Sequence, residues 1–185
     1  MIQEIEVKAR AQNNRELLQA LSDMGIVLSE EIVQKDDVFL PEGIGYPVPL
    51  GTLVLRLREQ QGRIIFTLKQ PLKNELDCIE RETVVGDKQL MTDIIERLGF
   101  YRVLQIYKTR QKAKYKQYEI CVDTVKYLGN FIEVEKMSSE DAVTVQEELF
   151  AFLETLGVEK SDQVFHGYDT LIYNWKHAKA AKNLG

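Results

Sequence analysis

Basic residues are in short supply: 24 lysines and arginines against 29 aspartates and glutamates leave a net charge of −5. A general nucleic-acid binder carries the opposite surplus, so nucleic acid is not expected as a partner. Cysteine is nearly absent. Cys78 and Cys121 have no metal-ligand spacing and no motif around them, and they read as bystander thiols of a reducing, cytoplasmic compartment. No apolar run approaches the roughly 18 residues of a membrane span, and the start shows no signal-peptide pattern, so no membrane partner is expected. Fixed-period repeats, low-complexity tracts and a dividing linker are missing too. The 185 residues therefore read as one domain over 1–185, long enough to bury a core. Its basic end, 176–185, is expected to fray. Three of the four prolines fall in residues 41–51 with three glycines, a long loop of the kind that covers sites on rigid scaffolds. His166 and His177, the two histidines, read as surface residues.

What the chain has in quantity is alternation. Residues 2–10 read as a strand with Glu4, Glu6, Lys8 and Arg10 on one face and Ile5, Val7 and Ala9 on the other. The same grammar returns in strands predicted over 27–40, 52–59, 63–70, 77–86, 100–115, 118–126 and onward from Gly129. Helical spacing marks four helices. One follows Asn13-Asn14 and stops at Gly25, and another covers 88–98 behind Asp87. A third starts from a capping box of Ser138 and Asp141 and runs to about Leu156. The last, about 165–180, carries Tyr168, Leu171, Ile172 and Trp175, which read as helix packing rather than a nucleobase shelf.

Eight strands and about four helices predict an α+β fold built on a mostly antiparallel sheet, with enough strands to close a small barrel. One set of faces collects Glu4, Glu6, Glu80, Glu82, Asp123, Glu133 and Glu135 together with Lys8, Arg56, Arg58, Lys69, Lys108 and Arg110. The opposite faces are largely apolar and suit the helix stripes, so the charged faces are expected to point into the barrel. Ionised groups taken out of water cost several kcal/mol each unless paired or liganded. A highly charged ligand that brings its own counter-ions suits such a lining best. Arginine and lysine clamp phosphate oxygens. Carboxylates in clusters supply hard oxygen ligands for Mg²⁺ or Mn²⁺. A metal–polyphosphate complex answers both halves. The competing reading is a solvated sheet face of cross-strand Lys–Glu pairs. Against it, the charges cluster by type, as Glu-x-Glu-x-Lys, Arg-x-Arg and Lys-x-Arg, where solvated faces mix in threonine, serine and glutamine. Lys112, Lys114 and Lys116 fall toward the tunnel mouth or in solvent.

Glu4-Ile5-Glu6-Val7-Lys8 matches an ExExK signature, and with five further matches in series the chain resembles the CYTH superfamily, the triphosphate tunnel metalloenzymes. Leu55-Arg56-Leu57-Arg58 resembles that family's arginine strand, and Thr67-Leu68-Lys69 the lysine strand after it. Glu80-Arg81-Glu82 resembles its central acidic pair and Lys108-Thr109-Arg110 its K-x-R strand. Asp123, with Phe131-Ile132-Glu133-Val134-Glu135, resembles its final acidic set. Within the superfamily the chain is most similar to the class IV adenylate cyclase (CyaB-like) branch, through residues 35–40 and 167–172. Phe39 stands there where tyrosine is usual, and Gly167 and Asp169 replace a serine and a glutamate.

The resemblance implies a closed eight-stranded antiparallel β-barrel with about four flanking helices, its tunnel binding ATP or another triphosphate with Mg²⁺ or Mn²⁺. It implies that Glu4, Glu6, Asp123, Glu133 and Glu135 hold the metal. Lys8, Arg56, Arg58, Lys69, Lys108 and Arg110 would bind the phosphates and offset the charge that grows in the transition state. Glu80 and Glu82 would ligate metal or position the basic side chains. The implied activity is adenylate cyclisation. Hydrolysis of thiamine triphosphate or tripolyphosphate, and triphosphate binding without catalysis, are the alternatives. A homodimer is implied as well, with the C-terminal helix as a candidate contact.

Overall fold

Strand alternation sets the architecture of the computed structural model, which describes residues 2–182. In β1 (Gln3–Arg10), Ile5, Val7 and Ala9 are buried on the outer face beneath helices, while Glu4, Glu6 and Lys8 turn inward. The chain continues through α1 (Asn14–Asp23), β2 (Ile32–Pro41), β3 (Val54–Gln60), β4 (Arg63–Pro71) and β5 (Asp77–Val85). Then come α2 (Lys88–Arg97), β6 (Phe100–Tyr115), β7 (Tyr118–Val125), β8 (Gly129–Ser138) and α3 (Ala142–Thr155). A 3-10 turn at Lys160–Asp162 leads to β9 (Gln163–Val164) and α4 (Tyr168–Lys182).

Every pairing is antiparallel, in the order β5-β4-β3-β2-β6-β7-β8-β1, and β1 returns to β5 to close an eight-stranded barrel. That seam is short, with Glu4 opposite Cys78 and Ile5 opposite Asp77. Further along β1 the ninth strand takes the same edge, pairing Lys8 with Val164 and Ala9 with Gln163. A two-residue strand leaves no periodic signal, which is why the sequence reading lacks it. β2 begins at Ile32, so residues 27–31 belong to no strand. The β3–β4 hairpin turns on Gln61 and Gly62, both left-handed (φ 48° and 72°), the geometry whose twist suits a two-residue hairpin loop.

Asn13 caps α1 by accepting from the Glu16 amide, and Asp87 caps α2 by accepting from the Leu90 amide at 2.9 Å. Asp141 alone caps α3, accepting from the Val143 and Thr144 amides, while Ser138 ends β8; the capping box expected between them does not form. α1 and α3 cover the outer faces of β1, β7 and β8, where Leu17, Leu21, Val145, Leu149 and Leu153 pack on Ile5, Val7, Ile120, Ile132 and Val134. α2 covers the β2–β3 side through Ile95, packed with Phe39, Leu55 and Leu57.

α4 has a different job. Its Tyr168 and Ile172 pack against Val38, Leu104, Ile106, Val125 and Phe131, which lie on the inner faces of their strands. The barrel interior is therefore charged along only part of its length, and α4 stoppers the other, apolar end. Arg10 lies at that end, exposed, donating to the Leu128 carbonyl at 3.1 Å. α4 takes in residues 176–182, whose alanines and lysines are good helix formers. Residues 183–185 lie outside the described residues.

Candidate active site

Between the α4 stopper and the open end lies a cavity of about 350 Å³, in the range that holds a small ligand. All the candidate residues except Asp123 line it. Asp123 stands just behind the wall, completely buried.

Three carboxylates form one patch of the lining. β1–β8 pairing sets Glu6 opposite Glu135, and Glu4 follows on the same face, so that Glu4, Glu6 and Glu135 each offer an oxygen within 4.8 Å of the others. Burial, then the nearby charges of Glu80 and Glu135, pushes Glu4 up to about 9. Burial and the charge of Glu6 push Glu135 up to about 7. Burial raises Glu6 as well, although Lys8 opposes the shift. Three carboxylates that resist ionising side by side make a costly arrangement for the protein alone, and hard oxygens in that density fit a divalent cation such as Mg²⁺ or Mn²⁺.

The cations are all spoken for. Buried Lys8 reaches Glu6 at 3.2 Å, Glu133 at 3.1 Å and the His166 carbonyl at 3.2 Å. Burial works against its charge, but Glu6 and Glu133 outweigh it and hold Lys8 up at about 12. Arg58 grips Asp36 through two bonds of 2.8 Å. Arg110 bonds both Asp123, at 2.7 Å through Nε, and Glu133. Lys108 shares Asp123 at 3.0 Å; burial and the neighbouring Arg110 charge push it down to about 8. Nearer the mouth, Arg56 meets Glu82 at 2.9 Å and Glu80 at 3.7 Å, and Lys69 meets Glu80. Burial opposes ionisation of Glu80, yet Lys69 and Arg56 hold it down at about 2. Of the two roles open to Glu80 and Glu82, the structure displays the pairing with basic side chains.

Asp123 and Glu133 are thus engaged with Lys8, Lys108 and Arg110, and the carboxylates gathered without such a clamp are Glu4 and Glu135, with Glu6 shared. Several lining residues escape a sequence reading. Asp36 and Asp37 are adjacent, and nothing local says which faces inward; Asp36 does, while Asp37 turns outward to Lys88 and Gln105. Tyr168 sits on a helix, outside any strand rule, and it lines the cavity besides packing. Trp175, by contrast, stacks on Tyr127 at 4.3 Å, away from the site. Glu75, from the β4–β5 connection, accepts from the Gly167 amide at 2.9 Å and meets exposed His166 at 3.0 Å. The 41–51 loop does reach the site, through Val48 in the lining and Tyr46, which donates to Asp169 at 3.0 Å. Lys112 also lines the cavity, paired with Glu119. Cys78 lines it too, but burial pushes its thiol up to about 12, so it stays protonated.

The CYTH domain pattern matches residues 2–168. This chain belongs to the CYTH family. A Methanocaldococcus jannaschii protein named "Putative adenylate cyclase" is 28% identical over 169 residues, covering 89% of this chain and 95% of its relative. The PH1819 protein from Pyrococcus horikoshii OT3 is 26% identical and superposes with a TM-score of 0.78, over 92% of this chain and 98% of that one. A Hippeastrum protein, whose described activity is dominantly that of a triphosphatase, shares the fold at 18% identity and a TM-score of 0.57, over 90% and 91% of the two chains. Among the described residues no helix is long and apolar enough to cross a membrane.

The acidic patch of this CYTH barrel carries a pH signature. Glu4 and Glu135 bind protons more tightly folded than unfolded, since their values rise from 4.5 to about 9 and about 7. Above pH 4.5 the unfolded chain releases those protons while the folded chain keeps them, so stability is lost as pH rises toward the folded values. The metal-free protein should show a melting temperature that falls between about pH 5 and 8, and millimolar Mg²⁺ or Mn²⁺ should remove most of the fall. A melting temperature flat across that window, with metal making no difference, would count against a strained carboxylate patch.

Proposed function

We propose that this chain is a divalent-metal-dependent adenylate cyclase that converts ATP to cyclic AMP and pyrophosphate inside the barrel. One observation carries the reading: the unclamped carboxylates and six basic side chains share a cavity that α4 closes at one end. A polyanion entering from the open side meets Arg56 and Lys69 first, and Lys8, Arg58, Lys108 and Arg110 deeper in. Every one of these cations already faces a carboxylate, so phosphate oxygens exchange one anionic partner for another and no bare charge waits in a low-dielectric wall.

Glu4, Glu6 and Glu135 would hold Mg²⁺ or Mn²⁺, which supplies Lewis-acid polarisation of phosphoryl oxygen when bound. Asp123 and Glu133 act in this reading as the counter-ions that orient Lys8, Lys108 and Arg110. The ribose 3′-hydroxyl gives up its proton to water as its oxygen bonds the α-phosphorus and the bond from that phosphorus to the α–β bridging oxygen breaks. Pyrophosphate leaves with the electron pair, and the deep cations take up its growing charge. Lys108, pushed down to about 8, is already mostly charged at neutral pH, and an arriving phosphate would hold that charge in place. The similarity to a relative named as a cyclase supports this choice of reaction.

A triphosphatase is the second reading, favoured by the described activity of the Hippeastrum protein that shares the fold. Water then attacks the terminal phosphorus, and the same cations stabilise the leaving diphosphate. A homodimer joins the proposal in a narrower form. α4 spends its first turns on the barrel and Trp175 stacks on Tyr127, which leaves the stretch beyond Trp175 as its available contact.

The test is a product assay with ATP, thiamine triphosphate and tripolyphosphate offered in parallel, with Mg²⁺ or Mn²⁺ and Glu6→Ala as control. Cyclic AMP with pyrophosphate, lost in the variant, is the expected result. Orthophosphate without cyclic AMP selects the triphosphatase, and no turnover of any of the three overturns the enzymatic reading.

A further inference from the structure

β1 changes partners along one edge. β5 pairs with Glu4 and Ile5, and β9 with Lys8 and Ala9, so Glu6 and Val7 lie between the ends of two strands. Continued by one residue, the β5 register would set Leu76 opposite Glu6, and an antiparallel pair of that kind exchanges two hydrogen bonds. Only one forms. The Glu6 amide donates to the Leu76 carbonyl at 2.9 Å, but the Leu76 amide turns to Asn74 Oδ1, also at 2.9 Å. A side chain takes the place of the lost donor: Gln146 Nε2, from α3, reaches the Glu6 carbonyl at 3.1 Å.

The Gln146 amide is held in that orientation. Its oxygen accepts from Asn74 Nδ2 at 3.0 Å, and its nitrogen meets Asn74 Oδ1 at 3.2 Å as well as the Glu6 carbonyl. Around it, α3 packs on the barrel through Val145, Leu149 and Leu153. A polar side chain on an otherwise apolar contact face is favourable only where its hydrogen bonds are made. These bonds converge on the backbone of one residue of the acidic patch. Glu6 must divide its carboxylate between Lys8, at 3.2 Å, and the group it forms with Glu4 and Glu135. A ligand set of this kind works only when its supporting shell holds it to within about 0.5 Å.

We propose that Gln146, a residue of α3 outside the barrel, is a positioning residue for the metal-binding patch. Its amide stands in for the missing strand donor at Glu6 and thereby keeps the Glu6 carboxylate convergent with Glu4 and Glu135. The inference rests on the metal reading above and adds to it a support that reaches the patch through the barrel wall. Asn74 orients the Gln146 amide and so acts one step further back.

The experiment is titration of the full chain with Mn²⁺ alone, followed by the loss of the free-ion resonance signal, alongside thermal melts. Gln146→Leu keeps the bulk of the side chain and deletes the donor. Leu153→Val lies about two turns further along the same helix, buried and without a polar contact, and serves as the destabilised control. Gln146→Leu should bind Mn²⁺ roughly 10-fold more weakly than wild type, the lower end of what partners behind a metal ligand are worth. Leu153→Val should lower the melting temperature and leave Mn²⁺ affinity within about 2-fold. Wild-type affinity in Gln146→Leu overturns the inference alone, and so does an equal loss in Leu153→Val, which would make the effect one of general stability. Should Gln146→Leu fail to fold, Asn74→Ala decides: affinity about 3-fold weaker sustains the inference and unchanged affinity overturns it. No Mn²⁺ binding by the wild type overturns the metal reading itself, and this inference falls with it.

Discussion

Glu135→Gln is expected to give a protein that is more stable and inactive. Glu135 makes no ion pair among the described residues, and burial beside Glu6 and Glu133 pushes its carboxyl up to about 7. At pH 8 the wild type bears that charge against its surroundings, and glutamine fills the same space without it. Relief of a shift of this size corresponds to about 1–3 kcal/mol, read as a rise in melting temperature of several degrees. The same change replaces one of the three carboxylates gathered in the patch, the partner of Glu4 and Glu6, by a neutral amide, a much poorer ligand for a hard divalent cation. Loss of a metal ligand should lower turnover by at least ~100-fold, since even partners one shell further out are worth 10- to 100-fold. A variant that loses stability together with activity would mean that Glu135 supports the fold, and the metal assignment would fail.

Lys8→Met should move both readouts down. Lys8 is 1% exposed and stands between Glu6 and Glu133. Without it two buried carboxylates lose their counter-charge, a loss of roughly 3–5 kcal/mol in comparable buried pairs. Tripolyphosphate binding should fall by roughly 100-fold or more, as a charge-assisted contact disappears from the deep end. Lys8→Arg separates the two effects by restoring charge without restoring the reach of a single ammonium group. It should recover most of the melting temperature and only part of the affinity. Full recovery of both would reduce Lys8 to a counter-ion of the wall. The opposite signs predicted at Glu135 and Lys8 follow from one fact: the acidic patch lacks charge that a ligand would bring, while the basic wall is already neutralised.

Much of this molecule is legible in its residues because a strand's two faces are a local property. Glu4, Glu6 and Lys8 must share a face whatever β1 pairs with, and the same holds for Arg56 with Arg58 and for Glu133 with Glu135. Apolar residues on the opposite faces demand cover, and Leu17, Leu21, Val145 and Leu149 provide it. The eight-stranded barrel and its charged interior follow from those local rules.

Partner choice does not. The meeting of Glu6 with Glu135 depends on register between strands at opposite ends of the chain, and that of Arg110 with Asp123 and Glu133 on how the β6–β7 and β7–β8 hairpins align. Register decides which carboxylates are clamped by cations and which are left together. It also decides that Asp36 rather than Asp37 meets Arg58, a distinction that two adjacent aspartates cannot carry in sequence. α4 presents a similar limit: its apolar stripe shows that it packs, but only the closed barrel supplies an open end of the right width for Tyr168 and Ile172 to fill. Alternation therefore determined the barrel and the chemistry of its lining from sequence alone, because side-chain direction in a strand is set residue by residue. The stopper, the unclamped carboxylates and the place of Tyr168 were decided in three dimensions, because each is a relation between segments that meet only when the sheet closes.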